Sequence, residues 1–213
     1  MRAVAYGPYE DRMRAAIHAL KYNRMHAAAR KLGQMLAEAI GTLAAEAPAE
    51  MLVVPVPLFR SKHAERGFNQ ARALAQHALR SLRKSHPQWQ LALAPSSLIR
   101  QRSTGSQAGL TPRQRRINVR GAFKVTDLSA VDGRNILIID DILTTGSTAR
   151  AAARALLQAG AATVFVATLA RAYRLHHYRR GSSASNQDVA HGDASFEDLQ
   201  LESMHSSPNQ PSF

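Results

Sequence analysis

The 213-residue chain contains no cysteine. That absence removes disulfides, thiolate zinc sites and cysteine nucleophiles together, and it fits an intracellular protein, with the cytoplasm as the expected compartment. Aromatic residues make up only 6% of the chain, with a single tryptophan, so a base-stacking platform for single strands has little to build on. Long apolar runs are missing too. The longest, around Met51–Phe59 and Ala161–Ala170, fall well short of the roughly 20 residues a membrane helix needs, so no membrane span is expected. The opening segment reaches Pro8 and then charge before an apolar leader core can form. Neither GxxxxGKS/T nor GxGxxG occurs, which leaves P-loop nucleotide hydrolysis and dinucleotide binding without support. Acids are lacking over a long internal stretch: between Arg66 and Thr126 there are twelve Lys or Arg and no Asp or Glu. With a net charge of +13 the chain implies an anionic partner, whether nucleic acid, a polyphosphate substrate or an acidic protein.

What is present reads as a globular α/β protein, with 45% hydrophobic residues and enough length for a sizeable core. Tyr9, Met13, Ile17 and Leu20, then Leu32, Met35, Leu36, Ala39 and Leu43, recur at helical spacing, so two amphipathic helices are expected to open the chain. Met51–Val56 is a short Val-rich run bounded by prolines, the pattern of a strand buried on both faces. A polar segment, RSKHAERG, leads to a third helix over Phe68–Leu82. Short strands are expected at Leu91–Leu93 and Ser97–Ile99, a mobile loop at Arg100–Gly109, and a short helix from Thr111-Pro112 to about Asn118. Asn135–Ile139 predicts a second buried strand, Ser147–Ala159 a helix closed by Gly160, and Thr163–Leu169 a third strand. Strands alternating with helices predict a largely parallel sheet flanked by helices. From about Arg174 the composition turns to Ser, Asn, Gln, His and Gly without apolar periodicity, so residues 174–213 are expected to be a disordered tail and 1–173 one domain. The histidines, His176 and His177 among them, lack a third ligand at metal-site spacing and read as solvated.

The most informative segment is IIDDILTTGST, from Ile138 to Thr148. A strand delivers two adjacent carboxylates, Asp140 and Asp141, to its exposed C-terminal end, where open α/β sheets bind ligands. Gly146 lets the backbone approach an anion, the hydroxyls of Thr144, Thr145, Ser147 and Thr148 can surround a phosphate, and the following helix points its positive end at it. Two acids beside a phosphate would repel it, so they are better placed on neutral hydroxyls or a bridging cation. Ribose 5-phosphate satisfies both halves.

That segment resembles the phosphoribosyl-pyrophosphate (PRPP) motif of type I phosphoribosyltransferases. Three more segments, IHALKYN (Ile17–Asn23), VPVPLFRSKHAERGFNQAR (Val54–Arg72) and LIRQRSTGSQAGLTPRQRRINVRGAF (Leu98–Phe123), are similar to the ComF family, which includes ComFC and GntX-like proteins. The family's amino-terminal four-cysteine zinc module is missing. The resemblance implies a parallel-sheet core with a small hood, the helical part of residues 1–50 contributing to it, and a ligand of PRPP with Mg2+ held mainly through the substrate. It implies transfer of the phosphoribosyl group to an unidentified nitrogenous acceptor with release of pyrophosphate. Asp140 and Asp141 would hold the ribose hydroxyls, and Thr144, Thr145, Gly146, Ser147 and Thr148 the 5-phosphate. The turn of Pro55, Val56, Pro57 and Leu58, with Lys62 and Arg66 after it, would take pyrophosphate. Arg100 and Arg102, on the expected mobile loop, would act catalytically by stabilising the departing pyrophosphate. Relatives in competent bacteria suggest the alternative of a non-enzymatic PRPP or nucleotide-binding protein acting in DNA uptake or nucleic-acid handling, with single- or double-stranded DNA as a partner.

Overall fold

Ile136, Leu137, Ile138 and Ile139 are all completely buried, as four consecutive apolar residues must be when a strand is covered on both faces. The computed structural model describes residues 1–22, 26–103 and 111–172; the expected tail, with His176 and His177, and most of the expected mobile loop lie outside them. In chain order the elements are β1 (Arg2–Pro8), α1 (Asp11–Tyr22), α2 (His26–Gly41), β2 (Glu50–Pro55), α3 (Arg60–Arg66), α4 (Gln70–Ser85), β3 (Gln90–Leu93), β4 (Leu98–Arg100), α5 (Pro112–Val119), β5 (Phe123–Val125), β6 (Asn135–Leu143), α6 (Ser147–Gln158) and β7 (Thr163–Arg171).

Five strands form one sheet in the order β1-β7-β6-β2-β3, every neighbouring pair parallel, while β4 and β5 form a separate antiparallel pair. The two-residue period of a strand divides the core into two layers. Val53, Leu137, Ile139, Ala167 and Leu169 pack with α1, α2 and α4 on one face. Val54, Ile136, Ile138 and Val166 pack with α6 and the β4–β5 pair on the other. The expected α/β class and parallel sheet are what the chain adopts.

Local differences from the sequence reading have physical causes. The chain opens with a strand rather than a helix: β1 is an edge strand, half-buried along most of its length, so it lacks the apolar run that marks β2 and β6. RSKHAERG contains α3, a polar helix with no buried residue, closed by Gly67 at φ 76. β5 is three residues long, too short to carry a periodicity. Thr111 begins α5 with a capping box, its side chain accepting from the Gln114 N–H while Gln114 accepts from the Thr111 N–H. Among the described residues no helix is long and apolar enough to cross a membrane.

α2 and α4 touch almost backbone to backbone at Gly33, where an added Cβ would overlap the Cβ of His77. Ala is normally the better helix former by about 1 kcal/mol, but overpacking costs about 1–3 kcal/mol. Gly33→Ala is therefore expected to lower the denaturant midpoint; a rise would show that the two helices can separate freely.

Candidate functional site

β2 and β6 lie side by side, but the chain leaves them in opposite directions, β2 through α4 to β3 and β6 through α6 to β7. The carboxyl ends of such a pair flank a crevice that no connection covers, the place where open α/β sheets bind ligands. Register brings the two ends level: Pro55 is opposite Ile139, and the Val56 N–H donates to the Ile139 carbonyl at 2.8 Å. The Pro55–Leu58 turn thus runs beside Asp140 and Asp141. Asn69 fixes it there, its amide donating to the Val56 carbonyl at 3.0 Å while its oxygen accepts from the Arg72 N–H at the start of α4.

The two acids are not at an exposed strand end. β6 continues through both of them to Leu143, and Asp140 pairs with Thr168 in the ladder, because β7 is long enough to keep the strand paired. Asp141, in phase with Leu137 and Ile139, is buried and meets the Lys21 ammonium of α1 at 2.5 Å. Only 19% of the Lys21 side chain and 8% of that of Asp141 remain exposed. Asp140, in phase with Ile136 and Ile138, is half-buried, and its Oδ1 accepts from the Asp141 N–H at 2.9 Å. Burial first, and then the neighbouring Asp141 charge, push the Asp140 carboxyl up to about 8, against the pull of that backbone bond and of Lys21. Asp140 therefore keeps its proton near neutral pH and Lys21 lies against Asp141, which together ease the repulsion that an acid pair would exert on a phosphate next door.

The loop after β6 carries hydroxyls into the start of a helix. Gly146 takes φ 69, in the left-handed region, and turns the chain into α6, whose positive end then faces the loop. The Thr145 and Ser147 hydroxyls lie 2.7 Å apart, and the Ser147 N–H donates to Thr145 Oγ1. Thr144 is exposed, Thr145 and Thr148 half-buried, Gly146 and Ser147 buried. The Arg150 guanidinium folds back onto this loop and donates to the Thr145 carbonyl. Burial, and then the charge of Arg116, lower its pKa.

The other expected residues divide. Arg100 ends β4 with its guanidinium 5.5 Å from the Phe123 ring centre. Burial lowers its pKa while the Asp140 charge draws it back up, so the fold brings Arg100 and Asp140 within electrostatic reach. Arg102 instead donates to the Asn118 and Arg120 carbonyls at 3.0 and 2.8 Å, closing the end of α5. Arg66 is the half-buried last residue of α3, directly before Gly67. Lys62, half-buried on the same helix, makes no ion pair or hydrogen bond with the crevice residues among those described.

Lys21 and Arg150 are site residues that pattern reading passed over, and both had a signal. Lys21 is the next i+4 step of the Tyr9, Met13, Ile17 stripe, a cation at a core-facing position that calls for a buried partner. Arg150 is a cation in the first turn of a helix, where the macrodipole disfavours it. Among the described residues no group of three or more His, Asp or Glu is placed to hold a metal. With Asp140 protonated and Asp141 engaged by Lys21, the pair fits Mg2+ only in the form that keeps its waters and completes its shell from substrate phosphates.

Residues 64–191 match the phosphoribosyl transferase domain family. The DNA utilization protein YhgH of Escherichia coli O157:H7 is 36% identical over 174 residues, covering 80% of this chain and 72% of that protein. The competence protein ComFC of Bacillus subtilis is 37% identical over 121 residues, 56% of this chain and 44% of that one. A hypoxanthine phosphoribosyltransferase from Staphylococcus aureus aligns at 16% identity with a TM-score of 0.40, over 67% of this chain and 64% of that one, too loose a likeness to argue from.

Proposed function

The chain belongs to the phosphoribosyl transferase domain family, in its ComF branch, and from that premise we propose that the crevice between β2 and β6 binds PRPP with Mg2+ and transfers its phosphoribosyl group to a nitrogenous acceptor. One observation carries the reading: an acid pair and a hydroxyl-lined helix start follow each other at the end of a single strand, beside the turn of its neighbour. Asp140 and Asp141 suit the ribose hydroxyls, Thr144–Thr148 with Arg150 the 5-phosphate, and Pro55–Leu58 with Arg66 the pyrophosphate. Mg2+, held mainly through the substrate, supplies charge neutralisation on the departing pyrophosphate. Arg100, on the Asp140 side, is placed to add to it. Displacement at the anomeric carbon asks mainly for positioning and electrostatic stabilisation of the leaving group, which such an arrangement provides.

A second reading is favoured by the relatives' names, DNA utilization protein and competence protein, together with the acid-free run from Arg66 to Thr126: a PRPP-binding protein of nucleic-acid handling without turnover. Calorimetric titration with PRPP and Mg2+, followed by pyrophosphate release against a panel of bases and amines, separates the two. Tight binding without release with any acceptor supports the second reading. Asp140→Asn combined with Asp141→Asn is expected to weaken binding at least tenfold, since even one hydrogen bond to a charged group such as Asp141 contributes about 1.5–3 kcal/mol. Unchanged affinity in the folded double variant would remove the site.

A further inference from the structure

The outer edges of α2 and α4 enclose a cleft of about 340 Å³ on the helical face of the molecule. It is lined by Arg30 and Gln34 of α2 and by His77, Arg80, Ser81 and Lys84 of α4. Among the described residues no carboxylate lines it, although α2 carries one acid, Glu38, a turn further on. α4 has none in its 16 residues. Arg30, Arg80 and Lys84 make no ion pair with any described residue.

Of these cations only Lys84, in the last turn of α4, stands where the helix dipole favours it. Arg80 and Lys84 are four residues apart on one helix, a like-charge spacing that destabilises helices by a few tenths of a kcal/mol. Arg30 is added from the facing helix. Both guanidiniums act on the imidazole between them: burial, then Arg80, then Arg30 lower the pKa of His77. Cations gathered from two facing helices, with no counter-charge among the described residues, suit an external anion.

The geometry also selects the anion. The cleft lies along the second half of α4, away from that helix's positive end, and no backbone N–H cradle lines it, so a lone phosphate gains little there. His77 and Lys84 are separated by about 10 Å along the axis, at 1.5 Å per residue. That suits a repeating anion whose successive charges meet successive side chains. A concave slot between two helices admits a single backbone, whereas a flat bilayer or a duplex would rest on its rims. We propose that the α2–α4 cleft is a binding site for the phosphodiester backbone of single-stranded nucleic acid, separate from the β2–β6 crevice. It is independent of the PRPP reading and gives the family's nucleic-acid connection a place on this chain.

The test is fluorescence anisotropy of the full chain with a labelled oligothymidylate across a salt series, comparing wild type with Arg30→Gln, Arg80→Gln, Lys84→Gln combined. Loss of three phosphate contacts is expected to weaken binding at least tenfold at low salt and to reduce the log–log salt slope by about 2, at about 0.7 per contact for a single strand. PRPP titration of the same variant is expected to match wild type, so that failure of the crevice assignment and of the cleft assignment read out separately. Unchanged affinity and slope in the folded variant overturn the proposal. Displacement of the oligonucleotide by polyglutamate at equal charge overturns it in favour of an acidic protein, and preference for a duplex over the single strand overturns it in favour of surface contact. Should the triple variant fail to fold, amine labelling of the wild-type chain decides: the oligonucleotide must protect Lys84, and full labelling in its presence overturns the proposal.

Discussion

Asp140→Asn is expected to stabilise the protein at pH 8 and leave its stability unchanged at pH 4, while weakening PRPP binding. In the folded chain burial and the Asp141 charge hold the Asp140 carboxyl protonated up to about 8, whereas in the unfolded chain it ionises near the ordinary aspartate value of 3.8. Below pH 4 both states carry the proton and the residue adds no pH-dependent cost. Between pH 4 and 8 the folded state binds more protons than the unfolded one, so stability falls as pH rises, by up to about 1.4 kcal/mol per unit for a fully raised group. Above 8 the penalty is complete and constant. Asp140 keeps part of its surface, and water there moderates the cost, so a gain of about 1–3 kcal/mol for the asparagine variant at pH 8 is the expected scale, or roughly 2–10 °C in Tm for a domain of this size. Thermal melts of both proteins at pH 4, 6 and 8 check it. A variant that is less stable than wild type at pH 8 would mean that the carboxyl supports the fold. The expected combination of higher stability and weaker binding is the mark of a group kept for its ligand at the expense of the fold.

The parts of the molecule that the sequence discloses are those where one physical demand dominates. Ile136–Ile139 has to be a central strand, because nothing else buries four branched residues in a row, and Thr111-Pro112 has to start a helix. Gly146 after two threonines marks a left-handed turn into a helix, and the structure has it at φ 69. What stayed hidden depends on neighbours distant in the chain. β1 is a strand because β7 offers it a parallel edge, not because Arg2–Pro8 carries a strand pattern. α3 buries no residue, so its sequence has no apolar face to read. For the site, the acid pair and the hydroxyl loop follow each other along one strand and were legible as a unit. Their electrostatic state was not, since it follows from burial under distant elements and from a partner, Lys21, more than a hundred residues earlier. Arg102 shows the same limit from the other side: a basic residue next to Arg100 in sequence closes α5 while Arg100 lies toward the acids.

Lys21→Met is expected to be the most damaging single change on the α1 side of the crevice. Asp141 is 6% exposed, so removing the ammonium 2.5 Å away strands a carboxylate where water cannot replace its partner. Breaking a buried pair from one side costs about 3–5 kcal/mol, far more than the intact pair contributes. The loss is also expected to depend on the second acid. With Lys21 gone, Asp141 loses its counter-charge while Asp140, next to it on the strand, keeps Arg100 within electrostatic reach, so the destabilisation deepens as pH rises and Asp140 ionises. Two further variants separate charge from packing. Asp141→Asn removes the stranded charge, so adding it to Lys21→Met is expected to restore much of the lost stability, giving a coupling energy of about 1–3 kcal/mol in the double-mutant cycle. Lys21→Arg keeps the charge and is expected to keep most of the stability. Chemical denaturation of the four proteins at pH 6 and pH 8 measures all of this. Additive losses, with no rescue by Asp141→Asn and no change between the two pH values, would reduce Lys21 to an ordinary packing residue at the end of α1 and leave the acid pair neutralised by some other group.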